Sequence, residues 1–191
     1  MSPMSDAPPD ADHLAMQRLA SGDDTALNEI MNRWKEKVFG FVQRMTGDAE
    51  TAADLAMETF VRIYQHRHSY QANAAFATYL FRIATNLTRN NLRWQRRHPS
   101  VSLDEACLTV ETQQGEEPPD ADAGLKERLT IVEKAISALP PDLREAILLF
   151  TYEDMSYAEI ARTSRCSIKA VETRIYRSRQ ILKSLLKDSG F

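Results

Sequence analysis

Apolar residues recur every three or four positions along most of this chain, and few glycines interrupt them. Helices that bury one side are therefore the regular structure most of it can form. Leu27, Ile30, Met31, Trp34, Val38, Phe41, Val42 and Met45 make one continuous stripe, which predicts a long helix from Asp24 to about Thr46, ended near Gly47. Ala53, Ala56, Phe60, Ile63 and Tyr64 mark a second helix. Phe76, Leu80, Ile83, Ala84, Leu87 and Trp94 mark a third, reaching Arg97 before the break at Pro99. With a short helix near Leu14 to Ala20 these segments close a bundle.

The periodicity lapses between Ser100 and Gly124. That stretch carries Asp104, Glu105, Glu111, Glu116, Glu117, Asp120 and Asp122 with no Lys or Arg, and includes Pro118 and Pro119, so it reads as a flexible acidic linker. Periodicity resumes at Leu125, Leu129, Val132, Ile136 and Leu139, and "LPPDLREAILLF" restarts a helix behind a proline, where a missing N–H costs nothing. The expected fold is all-α, with two small helical domains on a chain of 191 residues: a disordered leader over 1–11, a first domain over 12–98, the linker over 99–124 and a second domain over 125–191.

Several function classes fall away. The longest uninterrupted run of aliphatic and aromatic residues, Ala146 to Phe150, is too short to cross a bilayer, and "MSPMSDAPPDAD" has neither the basic start nor the apolar core of a secretory signal, which points to the cytoplasm. Cys107 and Cys166 stand apart with no zinc-type spacing, and a reducing cytosol keeps both as thiols. His66 and His68 are two apart and so point to different faces of a helix; no metal site or cofactor is expected. There is no Gly-rich phosphate loop, nucleophile elbow or His-anchored triad, so an enzyme is not the expectation.

The chain nonetheless segregates its bases, although its formal net charge is −3. In "SYAEIARTSRCSIKAVETRIYRSR", Ser156 and Glu159 form a capping box and Ser167 is a second N-cap, so a two-turn helix meets a longer one across a tight connection, as in a helix-turn-helix. Ile168, Val171, Ile175, Leu182, Leu185 and Leu186 give the longer helix a buried side. From Arg162 to Lys187 eight bases face Glu172 alone, which suits a duplex whose phosphates supply the countercharge. In the first domain Arg82, Asn86, Arg89, Asn90, Arg93, Arg96 and Arg97 fall within a third of a helical wheel, with no acid between Phe76 and Pro99. Tyr70, Phe76, Tyr79 and Phe81 lie close by in sequence; such rings stack on unpaired bases, although core packing is their commoner use.

Three segments resemble, in order, those of the extracytoplasmic-function (ECF) sigma factors, the small promoter-recognition subunits of bacterial RNA polymerase. "AADLAMETFVRIY" resembles the family's polymerase-docking helix, "FATYLFRIATNLTRNNLRWQRR" its promoter-melting and minus-ten segment, and "LPPDLREAILLFTYEDMSYAEIA" with "CSIKAVETRIYRSR" its minus-thirty-five reader. The resemblance implies that Asp54, Met57 and Glu58 meet the polymerase β′ clamp helices, with the second domain on the β flap. It places the basic stripe of the first domain, Asn86 included, on the opened minus-ten strand, and gives the loop from His68 to Ala75 an extruded base. Lys169, Glu172, Thr173, Arg174 and Arg177 fall at the positions that meet minus-thirty-five duplex. It also implies an anti-sigma factor as partner.

The chain departs from the family pattern at Ala53 and Met57, where an acid and a glutamine are usual, at Tyr79 for tryptophan, at Arg165 for the turn glycine, and at Glu172 for a base. Glu172 either accepts from a cytosine amino group or pairs with Lys169 one turn back. Two other readings stay open here. A helix-turn-helix regulator that binds operator DNA alone leaves the Arg82 to Arg97 stripe unexplained, and a sigma-like decoy for an anti-sigma factor has no use for both arginine faces.

Overall fold

The computed structural model describes residues 11–98 and 123–188. Residues 1–10 of the leader and 99–122 of the acidic linker, with Cys107, lie outside them, whereas Ala11 opens the first helix and Ala123 and Gly124, read above as the end of the linker, open the helix that follows it. Among the described residues the regular structure is helical: α1 (Ala11–Ala20), α2 (Thr25–Thr46), α3 (Ala49–Gln65), a 3-10 turn (Arg67–Ser69), α4 (Phe76–Arg97), α5 (Ala123–Ser137), α6 (Pro141–Thr151), α7 (Tyr157–Ser164) and α8 (Ile168–Asp188). No helix among them is long and apolar enough to cross a membrane.

Local chemistry sets the helix ends. Gly47 closes α2 with φ 79, a left-handed conformation that a Cβ disfavours, and donates its N–H back to the Gln43 carbonyl. Asp48 then starts α3 by accepting from the Thr51 N–H at 2.7 Å, and that bond holds its carboxyl below the usual range. The 22 residues of α2 span one side of the first bundle and pack against α1, α3 and α4. α1 is fastened by Asp12, which accepts from Arg33 Nε at 2.8 Å and from the Trp34 indole N–H at 3.2 Å. Ile30, Val38, Phe41, Val42, Phe60, Ile63, Phe76, Leu80 and Phe81 fill the core between them.

In the second half, α6 starts with Pro141 in its first turn, and Ala146, Ile147, Leu148 and Leu149 are all buried. Ser156 accepts from the Glu159 N–H and Glu159 Oε2 accepts from the Ser156 N–H at 2.9 Å, closing the capping box of α7. Ser167 caps α8 by accepting from the Ala170 N–H at 3.1 Å.

The two halves do not stand apart. α4 packs against α7, and α2 against α5 and α6, so one apolar cluster runs from Ala15 in the first half to Ile175 in the second. Arg144 of α6 donates to the Met45 carbonyl at 2.7 Å, and the Arg44 guanidinium lies 4.2 Å from the centre of the Tyr152 ring.

Candidate nucleic-acid interface

α4 divides into a buried side and a basic side along its length. Phe76, Thr78, Leu80, Phe81, Ala84, Thr85 and Thr88 are buried. Arg82, Asn90, Arg93, Arg96 and Arg97 are exposed on the other side and Asn86 is half-buried. With no carboxylate on α4, the cationic face is left for an external anion.

Two side chains of this helix depart from expectation. Trp94, read above as part of the buried stripe, is 60% exposed and stacks on His98 with ring centroids 5.0 Å apart. Leu92 is the last apolar side chain of α4 that packs on the core, and every residue from Arg93 to His98 is exposed. Arg89 is drawn off the open face: Nε and Nη2 donate to the two carboxylate oxygens of Glu145 at 2.6 and 2.8 Å, and Nη1 donates to the Ser164 carbonyl at 3.4 Å. The Glu145 side chain is 1% exposed and also accepts from Ser164 Oγ at 2.5 Å. Burial pushes its carboxyl pKa up, while Arg89 and the Ser164 bond pull it back.

The aromatic rings near the stripe separate by burial. Phe76 and Phe81 are core, Phe81 edge-on to Phe41 with centroids 5.4 Å apart. Tyr70 and Tyr79 are half-buried and meet edge-on at 4.9 Å, with the Arg82 guanidinium 5.7 Å from the Tyr79 ring. The Tyr70 hydroxyl bonds His13 Nδ1, and burial pushes its pKa up to about 12, so it remains a neutral phenol. His68, Ser69, Gln71, Ala72, Asn73 and Ala75 of the adjoining loop are exposed.

On α8, Lys169, Glu172, Thr173 and Arg177 are exposed along one side. Lys169 Nζ lies 2.9 Å from Glu172 Oε2, the local pairing. Arg174 is held back by Asp142 of α6 at 3.2 Å, and its side chain is only 23% exposed. Ile168, read above as buried, is exposed because it opens α8 ahead of its contact with α6; Tyr176, missed in the sequence, is exposed beside Lys169 and Thr173 in a shallow groove. Arg165 occupies the turn between α7 and α8 with φ 52 and ψ 50, the left-handed conformation that glycine adopts at no steric cost.

On α3, Asp54 and Met57 are exposed, and Glu58 accepts from Arg62 Nε at 2.7 Å. Val61, one turn beyond Met57, is exposed too and extends this face as an apolar strip beside acids.

Comparison with known proteins agrees with this geometry. The sigma-70 region 2 model matches residues 30–98 and the sigma-70 region 4 model matches residues 129–182. The ECF RNA polymerase sigma factor SigW of Bacillus subtilis is 33% identical over 181 residues, covering 91% of this chain and 95% of its own. Among solved structures, CnrH in complex with the cytosolic domain of CnrY superposes with a TM-score of 0.71 at 24% identity, over 94% of this chain and 99% of that one. The sigma factor RpoE of Bartonella quintana, in complex with the anti-sigma factor NepR, superposes with a TM-score of 0.66 at 21% identity, over 84% and 96%. The chain belongs to the ECF RNA polymerase sigma factors, transcription initiation factors that carry out no bond chemistry.

Proposed function

We propose that this sigma factor acts in the cytoplasm, brings core RNA polymerase to promoters, reads the minus-thirty-five element as duplex through α8, and captures the opened minus-ten strand along α4. The observation that carries this reading is the exposed row Arg93, Arg96 and Arg97 on a helix without acids, beside a second row on the reading helix. In this reading Arg82, Asn86, Arg89, Asn90, Arg93, Arg96 and Arg97 serve the minus-ten strand, with the half-buried Tyr70 and Tyr79 bordering the base-receiving loop. Lys169, Glu172, Thr173, Arg174 and Arg177 serve the duplex. Asp54, Met57 and Glu58, extended by Val61, offer an amphipathic face to the polymerase clamp helices, and the second half meets the β flap. An anti-sigma factor is the partner that withholds the protein, as NepR partners the sigma factor of similar fold.

Run-off transcription with core polymerase tests the reading. Wild-type protein yields promoter-specific transcripts. The double variant Arg93→Glu, Arg96→Glu keeps polymerase binding and loses strand opening. Loss of polymerase binding in that variant overturns the assignment of α4.

A further inference from the structure

We propose that Trp94 is a stacking platform for an unpaired base of promoter DNA, set among guanidiniums that hold the phosphates on either side of that base. The proposal rests on the reading of α4 as the minus-ten face and adds to it a residue that the basic row does not contain.

Three observations converge on this indole. First, Trp94 is 60% exposed, whereas Trp34, the other tryptophan of the chain, is half-buried and donates its indole N–H to Asp12 at 3.2 Å. An indole left in water forgoes the gain from burying one of the largest apolar side chains. Second, His98 lies against the ring with 25° between the two planes. It is tied there by its backbone N–H, which donates to the Trp94 carbonyl at 2.9 Å, and by its ring Nδ1, 3.1 Å from the same oxygen. With one face of the indole against His98, the exposed area lies on the other face and the ring edges. Support from His98 also limits the freedom the ring loses on binding. Third, the surroundings are cationic. Trp94 follows Asn90 by four residues and precedes Arg97 by three, so its ring borders the basic row. Arg93, Arg96 and Arg97 are all exposed, and none of them is ion-paired among the described residues.

The make-up of this patch selects the partner. From Arg93 to His98 Trp94 is the one apolar side chain, whereas a protein or lipid partner would bury several together. A nucleotide asks for what is present, a π face for its base and cations for its phosphates. In a duplex the bases already cover one another, so only an unpaired base can lie on the indole. The platform therefore adds a preference for opened DNA to a row whose charges attract single and double strands alike.

Fluorescence anisotropy with the full-length protein at low salt tests this on three labelled DNAs: a mixed-sequence single strand, an abasic strand of the same length, and a duplex with hairpin-closed ends. Trp94→Ala should lose roughly fivefold to 150-fold in affinity for the mixed-sequence strand, the loss of one base–aromatic stack, and bind the other two within about twofold of wild type. The Trp94 emission, taken as wild type minus Trp94→Ala, should be quenched by the mixed-sequence strand and not by the abasic one. Unchanged affinity for the mixed-sequence strand, or an equal loss on all three DNAs, overturns the platform. The double variant Arg93→Glu, Arg96→Glu should weaken all three complexes. If it weakens none, the reading of α4 has failed; if it weakens them and Trp94→Ala binds as wild type does, the platform alone has failed.

Discussion

Lys169 and Glu172 pair one turn apart on the exposed side of α8, Nζ to Oε2 at 2.9 Å, so the reading helix carries an acid that neutralises one of its own bases. Glu172→Gln frees the ammonium for phosphate. Binding of non-specific duplex should strengthen, and the slope of log affinity against log salt should steepen by about 0.9, the value of one added phosphate contact. Titration in a salt series measures both, and an unchanged slope shows that Lys169 reaches no backbone.

Closure of the two halves should depend on pH through Glu153. Burial pushes its carboxyl up to about 7, against the pull of Lys37 and Arg44 on α2 and with reinforcement from Asp154. With the halves parted, the carboxyl returns toward its ordinary value of 4.5. The closed posture therefore holds the proton more tightly, is favoured at low pH and loses ground as pH rises through about 7. Burial acts in the same direction on Glu145, opposed by Arg89. Solution scattering should report a more extended molecule at pH 8 than at pH 6, and Glu153→Gln should shrink that difference.

Arg165→Gly should raise stability by about 0.5–1 kcal/mol. The left-handed conformation at φ 52 costs a residue with a Cβ about 1–2 kcal/mol, part of which the extra freedom of glycine in the unfolded chain cancels. For a chain of this size the gain appears as a rise in Tm of about 1–4 °C.

Phe81 and Trp94 should respond in opposite ways to truncation. Phe81 is fully buried between Phe41 and Trp34, so Phe81→Ala should cost about 3–5 kcal/mol. Trp94→Ala should change stability by less than about 0.5 kcal/mol, since the indole is 60% exposed and stacks on His98. Thermal melts of the two variants separate these cases.

That contrast marks where sequence reasoning runs out. The spacing of Leu27 to Met45 and the glycine behind it located α2 closely, and Ser156 with Glu159 located the start of α7, because both signals act within one or two turns. Periodicity identifies which side of a helix is apolar, and says nothing of how far its neighbours cover it; Trp94 lies on the expected side and is 60% exposed. Arg89 was legible as a base on the stripe, but its partner is 56 residues away, beyond the reach of any local pattern. A sign was present in Glu145, an acid set directly against the buried run Ala146 to Leu149. A carboxylate in such a place needs a cation or a cluster of donors.

The bond from Arg144 to the Met45 carbonyl ties the last turn of α2 to a side chain more than ninety positions downstream. That oxygen trades its charged donor for water whenever α6 moves away, and its carbonyl carbon resonance should shift accordingly. The molecule thus carries an intrinsic spectroscopic gauge of how its halves are packed, readable by NMR once the Met45 carbonyl carbon is enriched in 13C.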